Sequence, residues 1–139
     1  MPVIKFDYFV RPSIENKKLI GIFSPIVPIR LSAQHKMYPD PINCFVDSGA
    51  DFNLMPALIG ENLGLNIKKG EKTTHIGIGN VGIIAYKHPV KIFVNGYSFR
   101  TFTNFSYDHK IPILGRYGFF DHFKKVTFNQ KKFQLELEH

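Results

Sequence analysis

Hydrophobic and polar residues alternate with a period of two over several short stretches of this chain, punctuated by Gly, Pro and Asn. That pattern predicts half-buried strands of an antiparallel β domain. Val90, Ile92 and Val94 alternate with Lys91 and Phe93, Asn95-Gly96 supplies the positive φ of a two-residue turn, and Tyr97, Phe99 and Thr101 alternate on the return. A hairpin is expected there. Near the end, Val126 and Phe128 flank Thr127, Asn129 to Lys132 turn the chain, and Phe133, Leu135 and Leu137 alternate with Gln134, Glu136 and Glu138, which reads as a second hairpin. Earlier strands are expected at Ile4 to Val10, Ile26 to Leu31 and Asn43 to Val46. Two segments read as helical. In the first, Pro56 stands where a first-turn proline needs no N–H donor, Ala57-Leu58-Ile59 and Leu63 form an apolar stripe, and Gly64 ends the helix. The second is expected from about Tyr117 to Phe123.

Composition places these elements in one domain. The 139 residues are 44% hydrophobic, with 14 Phe and 6 Tyr, enough apolar material for a core and too much for a disordered chain. The domain is assigned to residues 1–136, and Leu137-Glu138-His139 reads as a remnant of an expression tag. Cys44 is the sole cysteine, so neither an internal disulfide nor a multi-cysteine zinc site is available, and a reducing, cytoplasmic compartment is expected. The formal charge is +7, but the lysines fall in scattered pairs of the kind that solvate turns. Nucleic acid is therefore not the expected partner, although a basic nucleic-acid-binding β-barrel stays open as an alternative. The apolar stretch Leu19 to Ile29 is about half a membrane span and is broken by Pro25 and Pro28. No membrane segment is expected, and Met1 to Lys5 lacks the features of a signal peptide.

The segment that carries chemistry is Cys44-Phe45-Val46-Asp47-Ser48-Gly49-Ala50-Asp51. An apolar strand delivers Asp47 straight into a Ser-Gly turn, and a carboxylate in such a place needs donors, a shared proton or a partner. Read alone, Asp-Ser-Gly favours the plainer reading, in which Asp47 closes an Asx turn on nearby backbone N–H groups. Two more segments bear on it: Ile76-Gly77-Ile78-Gly79-Asn80-Val81-Gly82-Ile83, a glycine-punctuated β segment, and Ile113-Leu114-Gly115-Arg116, which opens the second helical segment.

In this order, Asp-Ser-Gly-Ala-Asp, glycine-rich hairpin and Ile-Leu-Gly-Arg, the chain resembles the retropepsin-like aspartic proteases, the single-domain relatives of pepsin that include retroviral proteases. The resemblance is carried by Phe45 to Pro56 and Ile111 to Phe128. It implies a mainly β acid-protease half-barrel with one or two short helices that works as a homodimer. It makes Asp47 the catalytic aspartate, with Ser48 holding the active-site loops together across the dimer and Gly49 offering a carbonyl to substrate. Ala50 and Asp51 fall among the substrate-binding positions, and Asp51 is expected to pair with Arg116, next to Gly115. A guanidinium can hold a carboxylate through two parallel bonds, although Arg116 could instead be an ordinary exposed arginine. Gly77, Ile78, Gly79 and Asn80 match the flap that closes over bound peptide; a bulged glycine-rich strand without that role is the alternative. Asn80-Val81 departs from the family's run of glycines at the tip.

One Asp47 cannot serve as both acid and base in peptide hydrolysis, and Asp7, Asp40, Asp108 and Asp121 lack a following Ser/Thr-Gly. The second carboxylate must come from another copy about a two-fold axis. Pro2 to Phe6 and Phe133 to Leu137 have the alternation to interleave as a sheet between subunits. The function implied is an aspartic endopeptidase that needs no metal or other cofactor and acts on a peptide or protein; a non-catalytic dimeric peptide-binding module of the same fold is the alternative. Other chemistries fit less well. Cys44 reads as a core thiol rather than a nucleophile, the six histidines lack ligand spacing, and Val46 occupies the first glycine's place in a serine-nucleophile elbow. Phe119, Phe120 and Phe123 read as core packing beneath the site.

Overall fold

The hairpin set by Asn95-Gly96 forms the longest pairing in the computed structural model, which describes residues 2–76 and 82–139. The strands, in chain order, are β1 (Val3–Asp7), β2 (Phe9–Glu15), β3 (Lys18–Ser24), β4 (Ile26–Ala33), β5 (Lys36–Met37), β6 (Ile42–Val46), β7 (Leu54–Pro56), β8 (Glu71–Ile76), β9 (Gly82–Val94), β10 (Tyr97–Ser106), β11 (Ile113–Leu114), β12 (Lys125–Asn129) and β13 (Gln134–Glu138). Val94 pairs with Tyr97, and Asn95 and Gly96 both have positive φ (40° and 87°), the geometry of a turn whose twist matches its strands. The mainly β expectation holds.

Eight strands form one sheet in the order β5-β4-β6-β11-β7-β10-β9-β8, and a further β4–β9 pairing closes it into a barrel. Alternation explains what fills it. Val90, Ile92 and Val94 of β9, Val27, Ile29 and Leu31 of β4, and Cys44 and Val46 of β6 point inward and are buried, while Lys91 and Arg100 lie on the other face. Cys44 is fully buried, and burial pushes its thiol pKa up, as suits a core residue rather than a nucleophile.

The single run expected from Ile4 to Val10 is instead two strands. Tyr8 is buried and its N–H donates to the Phe133 carbonyl at 2.8 Å, where the β1 pairing ends; the chain then turns into β2, which pairs with β3 as a separate two-stranded ribbon. A stacked Phe23–Phe133 contact, 4.2 Å between centroids, ties that ribbon to the terminal sheet. In the single chain β1 pairs antiparallel with β13, Val3 opposite Glu138, in a three-stranded sheet β1-β13-β12. Leu135 and Leu137 are fully buried in that sheet. The final turn falls one residue later than predicted, with Phe133 in it at positive φ and β13 starting at Gln134.

Only one of the two expected helices is an α-helix. It is α1 (Ala57–Asn62), with Pro56 at its N-cap position rather than inside the first turn. Gly64 at φ +83° ends it, and the Leu65 N–H returns to the Gly60 carbonyl at 3.0 Å. From Tyr117 to Phe123 the chain makes only a 3-10 turn, Phe120–His122. Gly118 is the reason. Its φ of +111° is positive, outside the range of a right-handed helix, and the Asp121 carboxylate accepts its N–H at 2.9 Å. Phe119 and Phe123 are buried against Phe99, as expected of core residues.

Candidate active site

Asp47 stands at the end of β6, and its position is set by β11. Ile113 and Leu114 run parallel to Phe45 and Val46, the Phe45 N–H donates to the Pro112 carbonyl at 2.9 Å, and the Asp47 N–H donates to the Leu114 carbonyl at 3.0 Å. The chain then turns on itself: the Ala50 N–H donates to the Asp47 carbonyl at 3.1 Å and the Gly49 N–H to the Asp47 side-chain Oδ1 at 2.8 Å. This is the local turn geometry that an Asp before Ser-Gly favours. It holds one carboxylate oxygen to the backbone and leaves the side chain exposed in the single chain.

Beyond the turn, the loop is stitched to the segment after β11. The Arg116 N–H donates to the Ala50 carbonyl at 2.9 Å, the Tyr117 N–H donates to the Asp51 carbonyl at 2.8 Å, and the Arg116 guanidinium donates to the Asp51 carboxylate. Both side chains of that ion pair are more than half exposed, so the pair itself contributes little to stability, about 0–1 kcal/mol. The two backbone bonds beside it define the register. Ser48 and Gly49 are exposed at the loop's outer edge, and among the described residues the Ser48 hydroxyl has no hydrogen-bond partner.

Asn53 is the residue that the sequence pattern did not single out. It is fully buried; its Oδ1 accepts the Gly115 N–H at 3.0 Å, its Nδ2 donates to the Phe102 carbonyl at 3.1 Å, and its carbonyl accepts from the Asn104 backbone N–H at 3.0 Å. One amide side chain thus joins the Asp47 loop, the Gly-Arg segment and β10. Gly115 has to be glycine, because a Cβ there would lie 2.6 Å from the Phe52 carbonyl oxygen. The sole signal in the sequence was a polar residue between Phe52 and Leu54-Met55.

Phe52 carries the loop's contact with the neighbouring hairpin. Its ring meets His75 of β8 edge-on at 5.9 Å and Tyr117 at 5.9 Å. β8 and β9 pair antiparallel up to Ile76 opposite Gly82, so the arms of the glycine-rich segment form a hairpin beside the loop. Gly77, Ile78, Gly79 and Asn80, the residues matched to a flap tip, lie outside the described residues. Among the described residues, no three His, Cys, Asp or Glu side chains are grouped to hold a metal ion, and no helix is long and apolar enough to cross a membrane.

No family model matches the chain, and no curated protein matches it in sequence. Solved structures do. A retropepsin-like aspartic protease from Rickettsia conorii superposes with a TM-score of 0.64 at 19% identity, over 98% of this chain and 91% of that one. The retroviral protease-like domain of Ddi1 from Leishmania major gives a TM-score of 0.56 at 18% identity, over 79% of this chain and 84% of that one. An EIAV protease in complex with an inhibitor is 25% identical over 67% of this chain and 82% of that one, with a TM-score of 0.48. The first two likenesses establish the architecture: this chain has the retropepsin-like aspartic protease fold.

Proposed function

We propose that the protein is an aspartic endopeptidase whose active site is assembled from Asp47 of two identical subunits. The observation that carries this reading is the placement of Asp47: an exposed carboxylate on a loop whose backbone is bonded to Leu114 and, through Ala50 and Asp51, to Arg116 and Tyr117. A side chain that merely closed a turn would not need a fully buried asparagine and a sterically obligatory glycine behind it.

Two such carboxylates facing each other across a two-fold axis could not both ionise, so they would share one proton and divide into a base and an acid. The ionised Asp47 takes a proton from water as the water oxygen bonds to the scissile carbonyl carbon. The protonated Asp47 of the partner subunit gives its proton to the carbonyl oxygen. The tetrahedral diol then collapses: the C–N bond breaks, a proton passes to the leaving nitrogen, and the dyad returns to its singly protonated state. Metal chemistry and a covalent intermediate have no part in this scheme.

The remaining site residues take supporting roles. The unpartnered Ser48 hydroxyl is available to bond across the subunit interface. The segment of exposed Gly49, half-buried Ala50 and exposed Asp51 presents backbone groups and one carboxylate to a peptide lying in extended form, where main-chain bonds give affinity and side-chain pockets give preference. Arg116 holds Asp51. The β8–β9 hairpin meets the loop through the Phe52–His75 contact, one pair before its last described pair, Ile76–Gly82, and on this reading its glycine-rich end would close over the peptide.

The test is cleavage of a peptide library between pH 3 and 7 by the wild-type protein and by Asp47→Asn, with solution mass measured under the same conditions. Cleavage that tracks the dimer and is abolished by the substitution is expected. Cleavage that survives Asp47→Asn, or that belongs to a strictly monomeric species, would overturn the dyad. Peptide binding without cleavage would make this a non-catalytic module of the same fold.

A further inference from the structure

A concavity of about 750 Å³ contains none of the Asp47 loop. It lies between the β4–β5 turn and the facing stretches of β9 and β10, with Leu65 and Val90 among its apolar lining. Three cations border it: Lys36, Lys91 and Arg100. Lys87, which lines an adjoining concavity that also contains Asp121, stands over the ring of Phe102 at 4.7 Å, and Lys91 stands over Phe93 at 5.0 Å.

The charge arrangement costs stability. Lys91 and Arg100 are directly opposite each other on paired strands, a like-charge pairing that opposes sheet formation. No carboxylate relieves it. The groove is lined by neither Asp nor Glu, and among the described residues Lys36, Lys87, Lys91 and Arg100 form no ion pair; even Glu71, opposite Lys87 in the strand register, makes none. An apolar trough bordered by uncompensated cations is complementary to a ligand that alternates carboxylates with apolar side chains.

We propose that this groove binds an acidic polypeptide segment in extended conformation, at a site separate from the Asp47 loop. Two observations favour a polypeptide over a nucleic acid. The Phe93 and Phe102 rings already carry lysine ammonium groups, which compete with base stacking. β5 also ends the eight-stranded sheet, so its outer backbone edge has no strand beside it among the described residues and can accept an added one. The inference does not depend on the proteolytic reading and holds equally for Asp47→Asn.

Fluorescence anisotropy of a labelled peptide of alternating Glu and Val, titrated with the full chain at low and moderate salt, tests it. Binding is expected, weakening as salt rises, and Lys91→Glu/Arg100→Glu should reduce affinity at least about tenfold. Lys36→Glu, on the exposed sheet edge, should weaken it in the same direction if the double variant fails to fold. Lys131→Glu/Lys132→Glu, on the distant β12–β13 turn, should have little effect. Equal losses from both double reversals would reduce the effect to net charge and overturn the proposal. So would equally tight binding of the peptide with Gln in place of Glu, or no binding at all. Single-stranded DNA held more tightly than the peptide, through Lys91 and Arg100, would replace the polypeptide with a nucleic acid.

Discussion

Asn53 and Gly115 are joined by a 3.0 Å hydrogen bond from the glycine N–H to the asparagine Oδ1, in a place where the glycine has no room for a Cβ. This contact couples the loop after β6 to the segment after β11, and the position of Asp47 depends on it. Its removal should therefore affect both folding and the site.

Replacing Asn53 with Ala leaves the buried Gly115 N–H without its partner, at about 1–3 kcal/mol, and also removes the bond to the part-buried Phe102 carbonyl. Urea unfolding should show a loss of at least about 2 kcal/mol. A loss below about 0.5 kcal/mol would mean that water replaces the side chain at no cost.

Gly115→Ala is expected to be worse than its one added methyl suggests. The new Cβ would meet the carbonyl oxygen, carbonyl carbon and nitrogen of Phe52, all within 2.8 Å, and these are backbone atoms held by the surrounding strands. We expect destabilisation of about 1–3 kcal/mol or more together with loss of any peptide cleavage. A variant with wild-type melting and activity would show that the two loops can separate.

Arg116→Ala separates stability from function. The ion pair with Asp51 is solvent-exposed, so thermal unfolding should shift by less than about 1 kcal/mol. On the proposed function, cleavage should fall at least about tenfold, because the carboxylate beside the substrate loses its positioning partner. Arg116→Lys should restore only part of this, since an ammonium cannot reproduce the planar fork. Unchanged cleavage by Arg116→Ala would remove Arg116 from the site.

Cys44 predicts a pH effect on folding. Its buried thiol titrates above the ordinary value of 9.0, so the folded protein keeps a proton that the unfolded chain gives up. Stability from this source is fully present below that value and declines as pH rises through and beyond it. Cys44→Ala should flatten the decline, and a thiol reagent should modify the native protein only as fast as it unfolds. Rapid labelling of folded protein at pH 8 would contradict the burial.

Local chemistry was enough to show the strand character, the Asn95-Gly96 hairpin, the α1 stripe ended by Gly64, and the Asp47-Ser48-Gly49 turn, because alternation, turn residues and an acidic strand end act over a few neighbouring positions. The sequence could not reveal that the run from Ile4 to Val10 breaks at Tyr8, since that break is made by a bond to Phe133 at the far end of the chain. Nor could it reveal that β1 pairs with β13, that Gly118 turns the expected second helix aside, or that Asn53 links three segments. In each case a local preference gave way to hydrogen bonds and close contacts between residues remote in sequence. Only the folded chain brings those residues within reach, because a pattern of polar and apolar side chains specifies which face is buried but not which distant strand will cover it.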